Sequence, residues 1–158
     1  MLNLKTMTPS ENCLNLIKSQ EGCILHPYLD QAKIPTIGYG TIRYPGGAHV
    51  TMQDGPITQQ QAENYLLNDL QDTVVAINAM IPAGLSQNQF DALVDFAYNA
   101  GTGALHGSTL LRLIKANPTD QGIPAAFQLW DKIHVDGKLE VSEGLLERRK
   151  AEAALYFA

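Results

Sequence analysis

The period of the hydrophobic positions changes twice along the chain and divides it into three stretches. In the first, Thr8-Pro9-Ser10-Glu11 reads as a capping box with Pro at the first helical position. Cys13, Leu14, Leu16 and Ile17 then give a helix one buried side, and Gly22 supplies its C-terminal stop. From residue 24 to 50 the pattern shortens. Leu25 to Leu29, Ile34 to Gly38 and Ala48 to Met52 favour β structure, and the turn clusters Asp30-Gln31-Ala32-Lys33 and Tyr44-Pro45-Gly46-Gly47 separate them, so a small antiparallel sheet is expected. Beyond it, Thr58-Gln59-Gln60-Gln61 is a second capping box. Ala62, Tyr65, Leu66, Leu70, Val74, Ile77 and Ile81 recur at helical spacing after it. They predict one helix of about 24 residues and roughly 35 Å, long enough to join two lobes.

Pro82 to Gly84 ends that helix, and Ser86-Gln87-Asn88-Gln89 opens another through Phe90, Leu93, Val94, Phe96 and Ala97 to Gly101. Residues 101 to 107 read as a loop, Ser108 caps a helix to Ala116, residues 117 to 122 turn, and Pro124 to Trp130 is helical. Asp136-Gly137 signals a small hairpin, and Ser142 starts the last helix, to about Phe157. A small β piece followed by helices is an α+β pattern with segregated elements. One domain over 1–158 is expected, with a β lobe at about 22–57, a connecting helix at about 58–81, and a helical lobe at about 82–158 that includes the N-terminal helix.

Composition excludes more than it selects. A chain of 158 residues with 45% hydrophobic and 17% charged residues is ordinary for a globular domain. No apolar run approaches the roughly 18 residues of a spanning helix, and Met1 to Pro9 lacks the basic-then-apolar layout of a signal peptide, so cytoplasmic synthesis without stable membrane insertion is expected. Cys13 and Cys23 lie near opposite ends of the first helix, beyond the roughly 7 Å bridging limit, and read as free thiols. No Cys or His spacing fits a metal site, so no metal and no cofactor are expected. The net charge is −5. Residues 51 to 100 hold six acids and no Lys or Arg, which argues against a nucleic-acid partner and reads as a solvated face. Contact with an anionic surface would rest on local bases such as Arg148, Arg149 and Lys150.

The candidate chemistry lies in residues 21 to 36. Glu21 ends the first helix, where the negative end of the dipole and partial burial predict a raised carboxyl pKa. Asp30 closes the first strand and Thr36 lies in the second, so a tight hairpin brings their side chains near one another. Two acids in unlike environments can divide the work of proton donor and water activator, as cleavage of a glycosidic bond requires.

The spelling is more specific than the chemistry. Glu21-Gly22-Cys23, Tyr28-x-Asp30 and Thr36-Ile37-Gly38-Tyr39-Gly40 resemble the phage-type lysozymes, or endolysins, of glycoside hydrolase family 24, whose catalytic pattern is Glu, eight residues, Asp, five residues, Thr. Phe90 to Gly101 resembles that family's central helix, Ser108-Thr109-Leu110-Leu111 the start of the next, and Gly144 to Glu152 its C-terminal Gly-Leu-x-x-Arg-Arg segment. His26-Pro27 and the acidic balance depart from the usual pattern. The resemblance implies a lysozyme-like two-lobed fold and a muramidase acting on the β-1,4 bond between N-acetylmuramic acid and N-acetylglucosamine. Glu21 would protonate the leaving oxygen, and Asp30 with Thr36 would activate a water for an inverting hydrolysis.

Three further residues are candidates for substrate contact. They are Tyr39, as a subsite wall or a packed aromatic; Asn99, as an N-acetyl partner or a helix cap; and Arg149, as a substrate-carboxylate partner or a structural ion pair. Trp130 reads as core. The expected partner is the glycan strand of peptidoglycan, reached by a monomer from the host cytoplasm once a holin has opened the membrane. The rival readings are a lytic transglycosylase and a non-catalytic wall-binding or virion structural domain on the same fold.

Overall fold

The structure, a computed structural model, describes residues 6–158; residues 1–5, which open the stretch read for an export signal, lie outside it. The described chain forms two compact units. One is Asn15–Asp72, and the other joins the residues up to Leu14 to Thr73–Ala158. The dividing points fall inside α1 (Glu11–Glu21) and α3 (Gln71–Met80).

In the unit Asn15–Asp72, Gly22 takes φ +67 and its N–H reaches the Lys18 carbonyl at 3.2 Å, which stops α1 where expected. β1 (Ile24–Leu29) and β2 (Pro35–Gly38) pair antiparallel, with Tyr28 opposite Thr36, Leu29 opposite Pro35, and a bulge between Ile24 and Tyr28. The strand expected at Ala48–Met52 does not form. Tyr44 N–H bonds the Ala48 carbonyl at 2.9 Å and Gly47 N–H bonds Tyr44 at 3.0 Å, so this backbone closes a tight turn and leaves single bridges at Ile37–Thr41 and Arg43–His49. Thr58 caps α2 (Gln59–Asp69) through the reciprocal bonds with Gln61 that the sequence predicts. The single long helix is divided at Leu70, where ψ opens to −15° between α2 and α3. Leu70 stays buried and its N–H still bonds the Leu66 carbonyl, so the apolar rhythm runs unbroken across the division.

The other unit is helical apart from one hairpin. Its centre is α4 (Gln87–Ala100), in which every residue from Phe90 to Ala97 is buried. α5 (Thr102–His106) is a short helix where a loop was expected; it starts at Gly101 without a side-chain cap, so nothing in its spelling announces it. α6 (Thr109–Ala116) is capped by Ser108, and α7 runs over Ile123–Gln128. β3 (Lys132–Val135) and β4 (Lys138–Val141) meet through Asp136 and Gly137, both at positive φ, which is the turn Asp-Gly favours. α8 (Glu143–Tyr156) packs on α4 and α7, where Phe96, Phe127, Trp130 and Tyr156 meet edge to face with centroids 5.8 to 5.9 Å apart.

Two expectations about charge are corrected here. The acids of residues 51 to 100 are not a solvated face, because Asp91 and Asp95 on α4 are fully buried. Asp91 accepts the backbone N–H and hydroxyl of Ser10 and the amide of Gln87, and Asp95 takes a two-point bond from Arg148 at 2.8 and 3.0 Å. Ser10 is therefore the N-cap of α1. Thr8 is not, and Pro9 lies before the first turn. Arg148 and Arg149, at 5% and 1% exposure, are likewise not surface bases: Arg148 pairs with Asp95 and Arg149 with Glu152. Lys150 remains exposed and pairs with Glu147.

Candidate active site

Glu21, Asp30, Thr36 and Tyr39 fall in the unit Asn15–Asp72, and Asn99 and Arg149 fall in the other. Glu21 is the last residue of α1 and is exposed, so the partial burial expected of it is not found. Its carboxylate lies beside the Gly40 backbone: a Cβ on Gly40, which has φ +94, would stand 3.9 Å from Glu21 Oε2. The neighbouring Gly38, at φ +67, lets β2 approach α2 closely, since a Cβ there would come 3.3 Å from Ala62 Cβ. The two glycines flanking Tyr39 thus serve close approach.

Asp30 follows β1 directly. Its Oδ1 accepts the N–H groups of Ala32 at 2.8 Å and Ile34 at 2.9 Å, and its own N–H bonds the Ile34 carbonyl at 3.1 Å. Lys33 enters the left-handed region at φ +64 to complete the turn. One carboxylate oxygen is thereby clamped by backbone amides, while among the described residues no protein donor engages Oδ2. Thr36 is 3% exposed and donates its hydroxyl proton to the Ile34 carbonyl at 2.9 Å, so toward any other partner that oxygen can only accept.

The structure adds Tyr28 to these. In an antiparallel pair, residues directly opposite share a face, and so do residues i and i+2 of one strand. Tyr28 stands opposite Thr36 and two residues before Asp30, so the three side chains occupy one face of the hairpin. Burial pushes the Tyr28 phenol above its ordinary pKa, and the negative charges of Asp30 and then Glu21 push it further. The Tyr-x-Asp spelling was the only available sign of it.

Tyr39 is a packed aromatic at 5% exposure. Its hydroxyl accepts from the Gln59 amide, Lys18 Nζ lies 5.9 Å from its ring centre, and burial followed by the charge of Cys23 raises its pKa. Asn99 is exposed near the end of α4, and its Oδ1 accepts from Arg149 Nη2 at 2.9 Å. Arg149 also meets Glu152 at 2.6 Å and lies 4.9 Å over the Phe96 ring, an ion pair and stacking contact inside its own unit. Burial and the nearby Asp95 push the Glu152 carboxyl upward. Among the described residues no group of three metal-ligating side chains gathers.

A helix-end carboxylate followed by a hairpin with a second, oriented acid, in an α+β chain, is the arrangement that the resemblance to lysozyme-type glycoside hydrolases implies. The sequence model of the phage lysozyme family matches residues 18–152. The endolysin of Acyrthosiphon pisum secondary endosymbiont phage 1 is 39% identical over 93% of this chain and 96% of its own length. The endolysin of Bacillus phage PZA is 41% identical over 95% of this chain, which spans only 55% of that longer protein. Among solved structures, the endolysin of Escherichia coli O157:H7 phage FAHEc1 superposes with a TM-score of 0.88 at 45% identity, over 95% of this chain and 93% of that one. The chain belongs to the phage lysozyme family.

Proposed function

We propose that the protein hydrolyses the β-1,4 bond between N-acetylmuramic acid and N-acetylglucosamine in peptidoglycan, with inversion. Glu21 gives its proton to the leaving glycosidic oxygen. Asp30 accepts a proton from the water that attacks the opposite face of the sugar, and Thr36 accepts the second proton of that water as a hydrogen bond. The observation that carries this reading is the division of labour at Asp30. Two backbone amides fix Oδ1, and Oδ2 is left to act on a water. A base held this way loses no orientation on reaching the transition state.

The test is clearing of a purified murein suspension by the parent, Glu21→Gln and Asp30→Asn proteins. Each variant is expected to lose at least about a hundredfold in rate, the usual worth of a positioned acid or base. A variant as fast as the parent would remove its residue from the mechanism.

A further inference from the structure

The hydroxyl of Tyr28 has, among the described residues, no protein hydrogen-bond partner. It belongs to a half-buried side chain whose place is set by strand register, with Thr36 across the ladder and Asp30 two residues on, and register errors there would turn it to the other face. Directly opposed Cβ atoms lie about 5 Å apart, so the Tyr28 side chain stands beside that of Thr36, and the Asp30 charge acts on its phenol. Both of those groups are acceptors, Thr36 because its proton is committed to Ile34 and Asp30 because it is a carboxylate. A water bound to both has given up its two protons and offers two lone pairs. A donor on the same face can hold one lone pair and leave the other for the anomeric carbon.

We propose that Tyr28 is a catalytic residue whose hydroxyl donates a hydrogen bond to the attacking water and fixes it against Asp30. No bond to Tyr28 forms or breaks; its proton stays on the phenol oxygen through the cycle. Burial and then the charges of Asp30, Glu21 and Cys23 oppose ionisation of the phenol, so the donor proton is retained across the neutral range. The proposal rests on the assignment of Asp30 as base.

The test is Tyr28→Phe, which keeps the ring and removes only the hydroxyl, assayed on soluble murein fragments beside Asp30→Asn. The expected result is a kcat about tenfold lower, the scale of one hydrogen bond, with KM and thermal midpoint unchanged. An unchanged kcat, or a loss confined to KM, overturns the proposal. If Asp30→Asn stays active the base assignment itself has failed, and a dead Asp30→Asn beside a fully active Tyr28→Phe refutes Tyr28 alone. A second readout does not depend on that variant folding. Replacing Tyr28 by a fluorinated tyrosine of lower phenol pKa should move the alkaline limb of kcat to lower pH, and an unmoved limb overturns the proposal.

Discussion

Asp91 is the anchor of the first helix, and replacing it tests that claim on a number. Its carboxylate is fully buried and accepts three donors: the Ser10 N–H at 3.0 Å, the Ser10 hydroxyl, and the Gln87 amide at 2.8 Å. Hydrogen bonds to a charged acceptor contribute about 1.5 to 3 kcal/mol each, so three would suggest well over 4 kcal/mol. Two effects reduce this. Removing the carboxylate also removes its own desolvation cost, several kcal/mol in real proteins, and Ser10 and Gln87 retain some access to water. A net loss of about 3 kcal/mol is expected for Asp91→Ala, somewhat above an ordinary N-cap deletion. Asp91→Asn keeps one acceptor oxygen and should cost about 1 kcal/mol. For a chain of 158 residues, 3 kcal/mol corresponds to a fall of roughly 6 to 12 °C in the thermal midpoint. Urea unfolding at constant m decides it. An Asp91→Ala protein within 0.5 kcal/mol of the parent would mean that Asp91 does not anchor the helix start.

Gly38→Ala should cost about 2 to 3 kcal/mol in the same assay, because a side chain at φ +67 is strained and its methyl would press on Ala62; a loss under 0.5 kcal/mol refutes the close approach. Tyr156 makes stability fall at high pH. Burial pushes its phenol up to about 12 while its hydroxyl donates to the Pro118 carbonyl at 2.8 Å. Below about pH 10 both states hold the proton. Between about 10 and 12 only the native state does, so unfolding releases a proton and stability drops as pH rises, by up to about 2 kcal/mol. Denaturation at pH 9 and 11 should give a steeper fall for the parent than for Tyr156→Phe, and equal slopes would contradict the burial argument.

What the sequence reveals is local chemistry, and what it hides depends on distant partners. Thr58 with Gln61 and Ser86 with Gln89 are legible because each capping box is closed within four residues. Asp136-Gly137 is legible because a two-residue turn needs positive φ at both places. The N-cap of α1 is not, since Ser10 is held by a residue 81 positions away and Thr8 spells an equally good local start. The break at Leu70 is silent because a buried leucine with helical angles keeps the period. Arg148, Arg149 and Glu152 read only as a local charge cluster in which Arg149 is a substrate partner or a structural ion pair, and only the packing of α8 on α4 puts Asp95 within reach and buries them. At the candidate site, the helix end at Glu21 and the turn at Asp30 were readable. Tyr28 was readable only as a letter of the Tyr-x-Asp spelling, because its place beside Thr36 depends on which residue of β2 stands opposite it.

The products report directly on an inverting muramidase reaction run by Glu21 and Asp30. Purified murein would be digested briefly and the new reducing ends analysed by mass spectrometry and by proton magnetic resonance before mutarotation. The expected product carries N-acetylmuramic acid at the reducing end, released first as the α anomer and absent from digests with Glu21→Gln or Asp30→Asn. Release first as the β anomer, or as 1,6-anhydromuramic ends, would contradict it.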